Sequence, residues 1–266
     1  MALPLAAAAL LLAGQAAPAL TDEQKERFLL EGRVIDTRDA PGGVTGSLRA
    51  TLKLDDATHD ASIQSIDEAA PQKQLGSGFE VDFRDSWKNN VAAYRLDRLL
   101  GMRMIPVTVE RSHADKPASF TWWLDDLLLV ERDRVKKKRR PPDAVAWNRQ
   151  MYAMRVFDQL IFNFDRNLGN LLIDGQWRLW LIDHSRSFKI FDQLRTPKAL
   201  PETCDERLLE GMRQLDKATL QERLGDVLSD AQIDGLLGRR DRIVTFYDEL
   251  LASRGRERVL YQLPPR

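Results

Sequence analysis

Apolar and polar positions change rhythm partway along the chain. In residues 47–54 the apolar Leu48, Ala50, Leu52 and Leu54 alternate with Arg49, Thr51 and Lys53. That period of two predicts a half-buried strand. Short apolar runs predict further strands at 32–37, 60–66, 78–83, 104–110 and 118–124. Pro106 confines the 104–110 strand to an edge or a bulge, because proline has no N–H for a ladder. Ala92, Leu96 and Leu99 recur at helical spacing. They predict a helix capped at Asp85 or Ser86 and stopped by Gly101. A short helix opens at Thr21.

Beyond residue 130 the period is mainly helical. The basic run 136–140 and Pro141-Pro142 precede Asp143, which caps a helix reaching about Phe164. Trp147, Met151, Met154, Phe157 and Ile161 form its buried stripe. A hairpin follows: apolar residues 171–173, a turn at Asp174-Gly175, and the returning run 177–182. Ser229 to Gln232 is a capping box ahead of a helix that ends near Arg254. The order is a small sheet with one prominent helix, a basic linker, then a helical part with one embedded hairpin. A cleft between unlike lobes is a natural ligand site.

Composition narrows the possibilities. The chain of 266 residues is 43% hydrophobic and 30% charged, as expected of a globular protein. Forty basic residues balance forty acidic ones, so no global field draws it to nucleic acid. Its one cysteine, Cys204, excludes an internal disulfide, and no obvious partner activates it. His59, His113 and His184 lack metal-ligand spacing. Residues 1–19 read as a signal peptide, with an apolar run too short to span a bilayer and a cleavage site after Ala19. That reading places the protein in the periplasm or outside the cell. No Lys or Arg precedes Lys25, so the segment also reads as an Ala-rich extension of a cytoplasmic protein.

The residues with the clearest chemistry lie between Phe164 and Phe188. Asp165 stands at the mouth of a loop, Asn170 starts the hairpin, and the returning strand delivers Asp183. Hairpin geometry brings Asn170 and Asp183 near one another. Two carboxylates and an amide oxygen are the hard donors that Mg²⁺ or Mn²⁺ bridging phosphates requires. A loop carboxylate can also take a proton from an attacking hydroxyl. Taken singly, the same residues read as a helix end, an Asx turn and a surface hairpin.

The run Asp165-Arg166-Asn167-Leu168-Gly169-Asn170, with Leu181-Ile182-Asp183-His184 after the hairpin, resembles the catalytic and metal loops of protein-kinase-like enzymes. It is similar to the phosphatidylinositol 3-/4-kinase-like branch and to the atypical secreted kinases related to Four-jointed. The resemblance implies an α+β, two-lobed protein-kinase-like fold. Residues 20–126 would form an N-lobe of antiparallel sheet plus one helix, and 127–266 a mainly helical C-lobe. It implies Asp165 as the catalytic aspartate, Asn170 and Asp183 as metal ligands, and ATP with Mg²⁺ or Mn²⁺ as cofactors. Gly42, Gly43 and Gly46 would cover the ATP phosphates.

Two departures matter. Ala61-Ser62-Ile63-Gln64 stands where the resemblance calls for Val-Ala-Ile-Lys, so Gln64 replaces a phosphate-contacting lysine. The following helix carries Asn89 and Asn90 where the lysine's glutamate partner is expected. Lys53, on the neighbouring strand, is a candidate substitute cation and equally a solvated strand lysine. Three functions fit: phosphoryl transfer from ATP to a hydroxyl of a protein or small molecule, a pseudokinase scaffold without transfer, and nucleotidyl transfer.

Overall fold

In the computed structural model the described residues are 20–40, 47–76 and 78–266. Residues 1–19 and the glycines Gly42, Gly43 and Gly46 lie outside them. A capped helix α1 (Asp22–Glu31) leads into the strands β1 (Arg33–Asp39), β2 (Leu48–Leu54) and β3 (Ala57–Gln64). A two-stranded ribbon follows, β4 (Asp67–Leu75) and β5 (Gly78–Ser86), and then helix α2 (Trp87–Leu99). Strands β6 (Thr108–His113) and β7 (Lys116–Trp122) complete an antiparallel five-stranded sheet in the order β1-β2-β3-β7-β6.

Alternation along β2 works as read: Ala50 and Leu52 are buried and Lys53 is exposed. Ser86 rather than Asp85 caps α2, its hydroxyl accepting from Lys88 N at 3.3 Å. Val91, Ala92, Ala93 and Leu96 of this helix are buried in the core, and the helix packs against β6 and β7 among other elements. Two expectations are corrected. Pro106 lies ahead of β6, which begins at Thr108, so it interrupts no ladder. β4 has no counterpart among the expected strands, because its sequence is polar and largely exposed. Pro71 is skipped in its register, which passes from Ala70↔Phe83 to Gln72↔Val81.

The second half carries β8 (Leu127–Val130), α3 (Glu131–Lys136), α4 (Ala144–Leu160), β9 (Leu171–Asp174) and β10 (Leu179–Leu181). Then come β11 (Cys204–Asp205), α5 (Glu206–Gln214), α6 (Lys217–Leu224), α7 (Asp230–Arg254), α8 (Arg256–Val259) and β12 (Leu260–Tyr261). Asp143 caps α4 through Val145 N and Ala146 N at 2.8 and 3.0 Å. The stripe Trp147, Met154, Phe157 and Ile161 is buried, with Met151 packed at its margin. Helix α4 ends at Leu160, four positions earlier than its hydrophobicity suggests, and a turn leads on to Asp165. Helix α7 passes so close to the segment after Asp183 that a Cβ at Gly235 would lie 2.6 Å from the Ile190 carbonyl oxygen. The buried Arg239 of α7 donates to the carbonyls of Leu160 and Lys189 at 2.7 and 3.0 Å. Among the described residues no helix is long and apolar enough to cross a membrane.

Candidate active site

A cleft of about 650 Å³ opens between the five-stranded sheet and the sheet β10-β9-β8. Gln64, Asn90, Asn170 and Asp183 line its inner end, and Trp123, Leu124 and Asp125 its outer, connecting end. The hairpin does what its turn requires: Leu171 pairs with Leu181, and Ile182 N donates to Asn170 O at 3.1 Å. Asn170 and Asp183 are thereby held at one place. Asp183 has φ of 56°, a left-handed conformation uncommon outside glycine, and it turns the chain out of the strand at that point.

Arg166 fixes the loop around these residues. Its guanidinium grips Asp158 of α4 at 2.9 Å and donates to the Ile182 and Asn170 carbonyls at 2.9 and 3.3 Å. A further N–H reaches His184 Nε2 at 2.9 Å. Arginine can only donate, so Nε2 accepts and the imidazole is neutral. Burial, reinforced by the Arg166 charge, depresses the His184 pKa well below its ordinary value. Asp165 is exposed on the same loop, its backbone N–H held by Asn163 Oδ1 at 3.1 Å.

Asp183 lines the cleft and is exposed there, with other acidic groups close by. Desolvation raises its pKa, a Ser185 hydroxyl at 3.2 Å opposes that, and the charges of Asp85 and Asp165 raise it further. Asp85 is buried, and its Oδ1 has no hydrogen-bond partner among the described residues. Asn170 Nδ2 is likewise buried and unpartnered. Like charges around one carboxylate suit a divalent cation, and the unpartnered Asn170 Nδ2–H suits an acceptor such as a phosphate oxygen. No three acidic, histidine or cysteine side chains form a closed cage among the described residues.

Beside Asp183 the inner wall carries neutral amides. Asn90 Nδ2 donates to Gln64 Oε1, and Asn90 Oδ1 accepts from His184 N at 2.7 Å. The two amides expected in place of a Lys–Glu pair therefore touch. Lys53 stays exposed near the β2–β3 turn, paired in register with Thr58, and does not line the cleft. Arg49 on the same strand face does. Both tryptophans line the cleft: Trp122 is buried and stacked on His59 at 3.6 Å, and half-buried Trp123 lies under Arg49. Residues 136–140 are exposed, and burial pushes the Cys204 thiol well up. Sequence reasoning missed the linking roles of Arg166 and Asp158. Arg166 stood inside a recognised run, but Asp158 gave no local signal.

The ribbon β4–β5 leans on the segment after Asp183. Ser86 N donates to Ser185 O at 3.0 Å, Ile190 N to Asp82 Oδ2 at 2.9 Å, and buried Glu80 pairs with Arg186 and Lys189. That segment is thus held between the ribbon and α7.

No protein-family model matches the chain, and no curated protein does. Solved structures do. Hydra Fam20 with sugar superposes with a TM-score of 0.70 at 13% identity, covering 91% of this chain and 92% of that one. The Golgi casein kinase gives 0.64 at 16% identity, covering 92% and 81%. Its Mn/ADP-bound structure gives 0.63 at 16%, covering 92% and 80%. The chain has an α+β, protein-kinase-like fold.

Proposed function

We propose that the chain is an atypical metal-dependent kinase that moves the γ-phosphoryl group of ATP to a hydroxyl of a protein or small molecule. The observation that carries this reading is the junction at the inner cleft. Arg166 ties the Asp165 loop to both strands of the hairpin that holds Asn170 and Asp183. The Golgi casein kinase, similar in fold, has been solved with Mn/ADP bound.

In this reading Asn170 and Asp183 hold Mg²⁺ or Mn²⁺, which would neutralise phosphate charge. Asp165, on its pinned loop, orients the acceptor hydroxyl and receives its proton. The acceptor oxygen forms the new P–O bond as the bond from the γ-phosphorus to the ADP oxygen breaks. Gln64 and Asn90 shape the inner wall without adding charge, so neutralisation there falls to the metal. Residues 1–19 would direct export, and N-terminal sequencing of the secreted protein should then start at Leu20.

The test is transfer of ³²P from ATP to candidate acceptors by the wild type and by Asp165→Asn. Transfer lost in the variant, with nucleotide binding kept, supports the assignment. A scaffold without transfer is the second reading, favoured by the neutral Gln64–Asn90 contact. Nucleotide binding without transfer to any acceptor class would select it.

A further inference from the structure

The cleft's cation stands at its outer end. Among the described residues, Arg49 is the only lysine or arginine lining the cleft. It lies on β2 opposite Ser62 of β3, which also lines the cleft. Asp60 accepts from the Arg49 Nε at 2.6 Å, and the Arg49 Cζ lies 4.2 Å from the centre of the Trp123 ring. Asp60 is itself fixed by the Thr51 hydroxyl at 2.6 Å and by Arg38 at 2.9 Å. The connecting segment is tied to the same strand, with Trp123 N donating to Asp60 O at 3.1 Å.

We infer that Arg49 is a ring-recognition residue: its guanidinium covers one face of a purine base seated at the outer end of the cleft, with Leu172 of β9 on the opposite wall. The inference rests on the nucleotide reading above. Leu172 lines the cleft from the sheet beneath. A guanidinium is planar and weakly hydrated and stacks on aromatic faces, whereas an ammonium offers no such plane. Arg49 is anchored before any ligand arrives, so little side-chain freedom is lost on binding. Reaching the inner end instead would mean leaving both Asp60 and Trp123. Arg49 therefore contributes to the base and not to the γ-phosphate.

Calorimetry with adenosine, ADP and ATP, each with and without Mn²⁺, separates these roles in the wild type, Arg49→Ala and Arg49→Lys. Melting temperatures serve as the control for folding. The expected result is a loss of roughly ten- to thirtyfold for all three ligands in Arg49→Ala, the size of a desolvated stacked cation. Arg49→Lys, which keeps the charge beside Asp60, should lose nearly as much. Loss for ATP with adenosine unchanged would make Arg49 a phosphate contact and overturn the inference. So would unchanged adenosine affinity in a folded Arg49→Lys, the decisive variant if Arg49→Ala does not fold. A wild type that binds none of the three overturns the nucleotide reading itself, and this inference with it.

Discussion

The side chain of Asn90 donates to Gln64 and accepts from the backbone of His184, so one neutral residue joins β3, α2 and the segment that carries Asp183. Both side chains are buried. A charged pair here would contribute attraction at a large desolvation cost, whereas two amides satisfy each other cheaply. The same economy leaves the inner cleft without fixed positive charge.

Asn90→Ala should therefore be costly. It removes a donor to Gln64 Oε1 and leaves the buried His184 N–H without its Asn90 acceptor, at about 1–3 kcal/mol for a group left unsatisfied. Combined with Gln64→Ala, the loss should fall short of the sum by about 0.5–3 kcal/mol. Urea unfolding of the two single variants and the double measures this. Strict additivity would show that the contact is not formed.

Arg166 should matter to stability as well as geometry. Its side chain and that of Asp158 are each 10% exposed. Arg166→Met leaves the buried Asp158 without its counter-charge, keeping only the Asn163 Nδ2 donor at 3.0 Å, which costs about 3–5 kcal/mol in such settings. A drop below about 1 kcal/mol in denaturant unfolding, the range of surface pairs, would mean that the loop is held some other way.

Stability should fall with acid through His184. Its folded pKa is depressed by burial and by Arg166, so below about pH 6.5, the ordinary value, the unfolded chain binds a proton that the folded chain refuses. The contribution is complete above that pH and declines as pH drops, by up to about 1.4 kcal/mol per unit for one proton. His184→Asn keeps an acceptor for Arg166 and removes the titration. Unfolding free energies at pH 7 and pH 5 should differ less in the variant. An equal difference would assign the acid sensitivity to other groups.

Lys53→Ala should leave nucleotide affinity unchanged and stability within about 0.5 kcal/mol, as for an exposed strand residue. A large loss of affinity would show that β2 shifts to bring Lys53 into the cleft.

Much of this was legible in the sequence where local order dictates geometry. A hairpin whose turn is Asp174-Gly175 must bring Asn170 near Asp183, and alternation along β2 must bury Ala50 and Leu52. What alternation could not reveal was which polar residue of β2 enters the cleft. Arg49, Thr51 and Lys53 share a face, and only the position along the strand separates Arg49 from Lys53. The ribbon was half hidden, since β4 is polar and largely exposed, and its partner β5 is anchored by a contact distant in sequence, Glu80 with Arg186. Asp158 sits on the helix before the motif, where its pairing with Arg166 depends on the turn between them.

The most direct measurement is calorimetric binding of ATP with and without Mn²⁺ to residues 20–266 and to Asp183→Ala. Binding that needs the metal in the wild type and disappears in Asp183→Ala is the expected result, since among the described residues the inner wall offers carboxylate and amide oxygens but no lysine or arginine. Equal affinity with and without metal, or full binding by Asp183→Ala, would contradict a metal-dependent phosphotransfer site at this cleft.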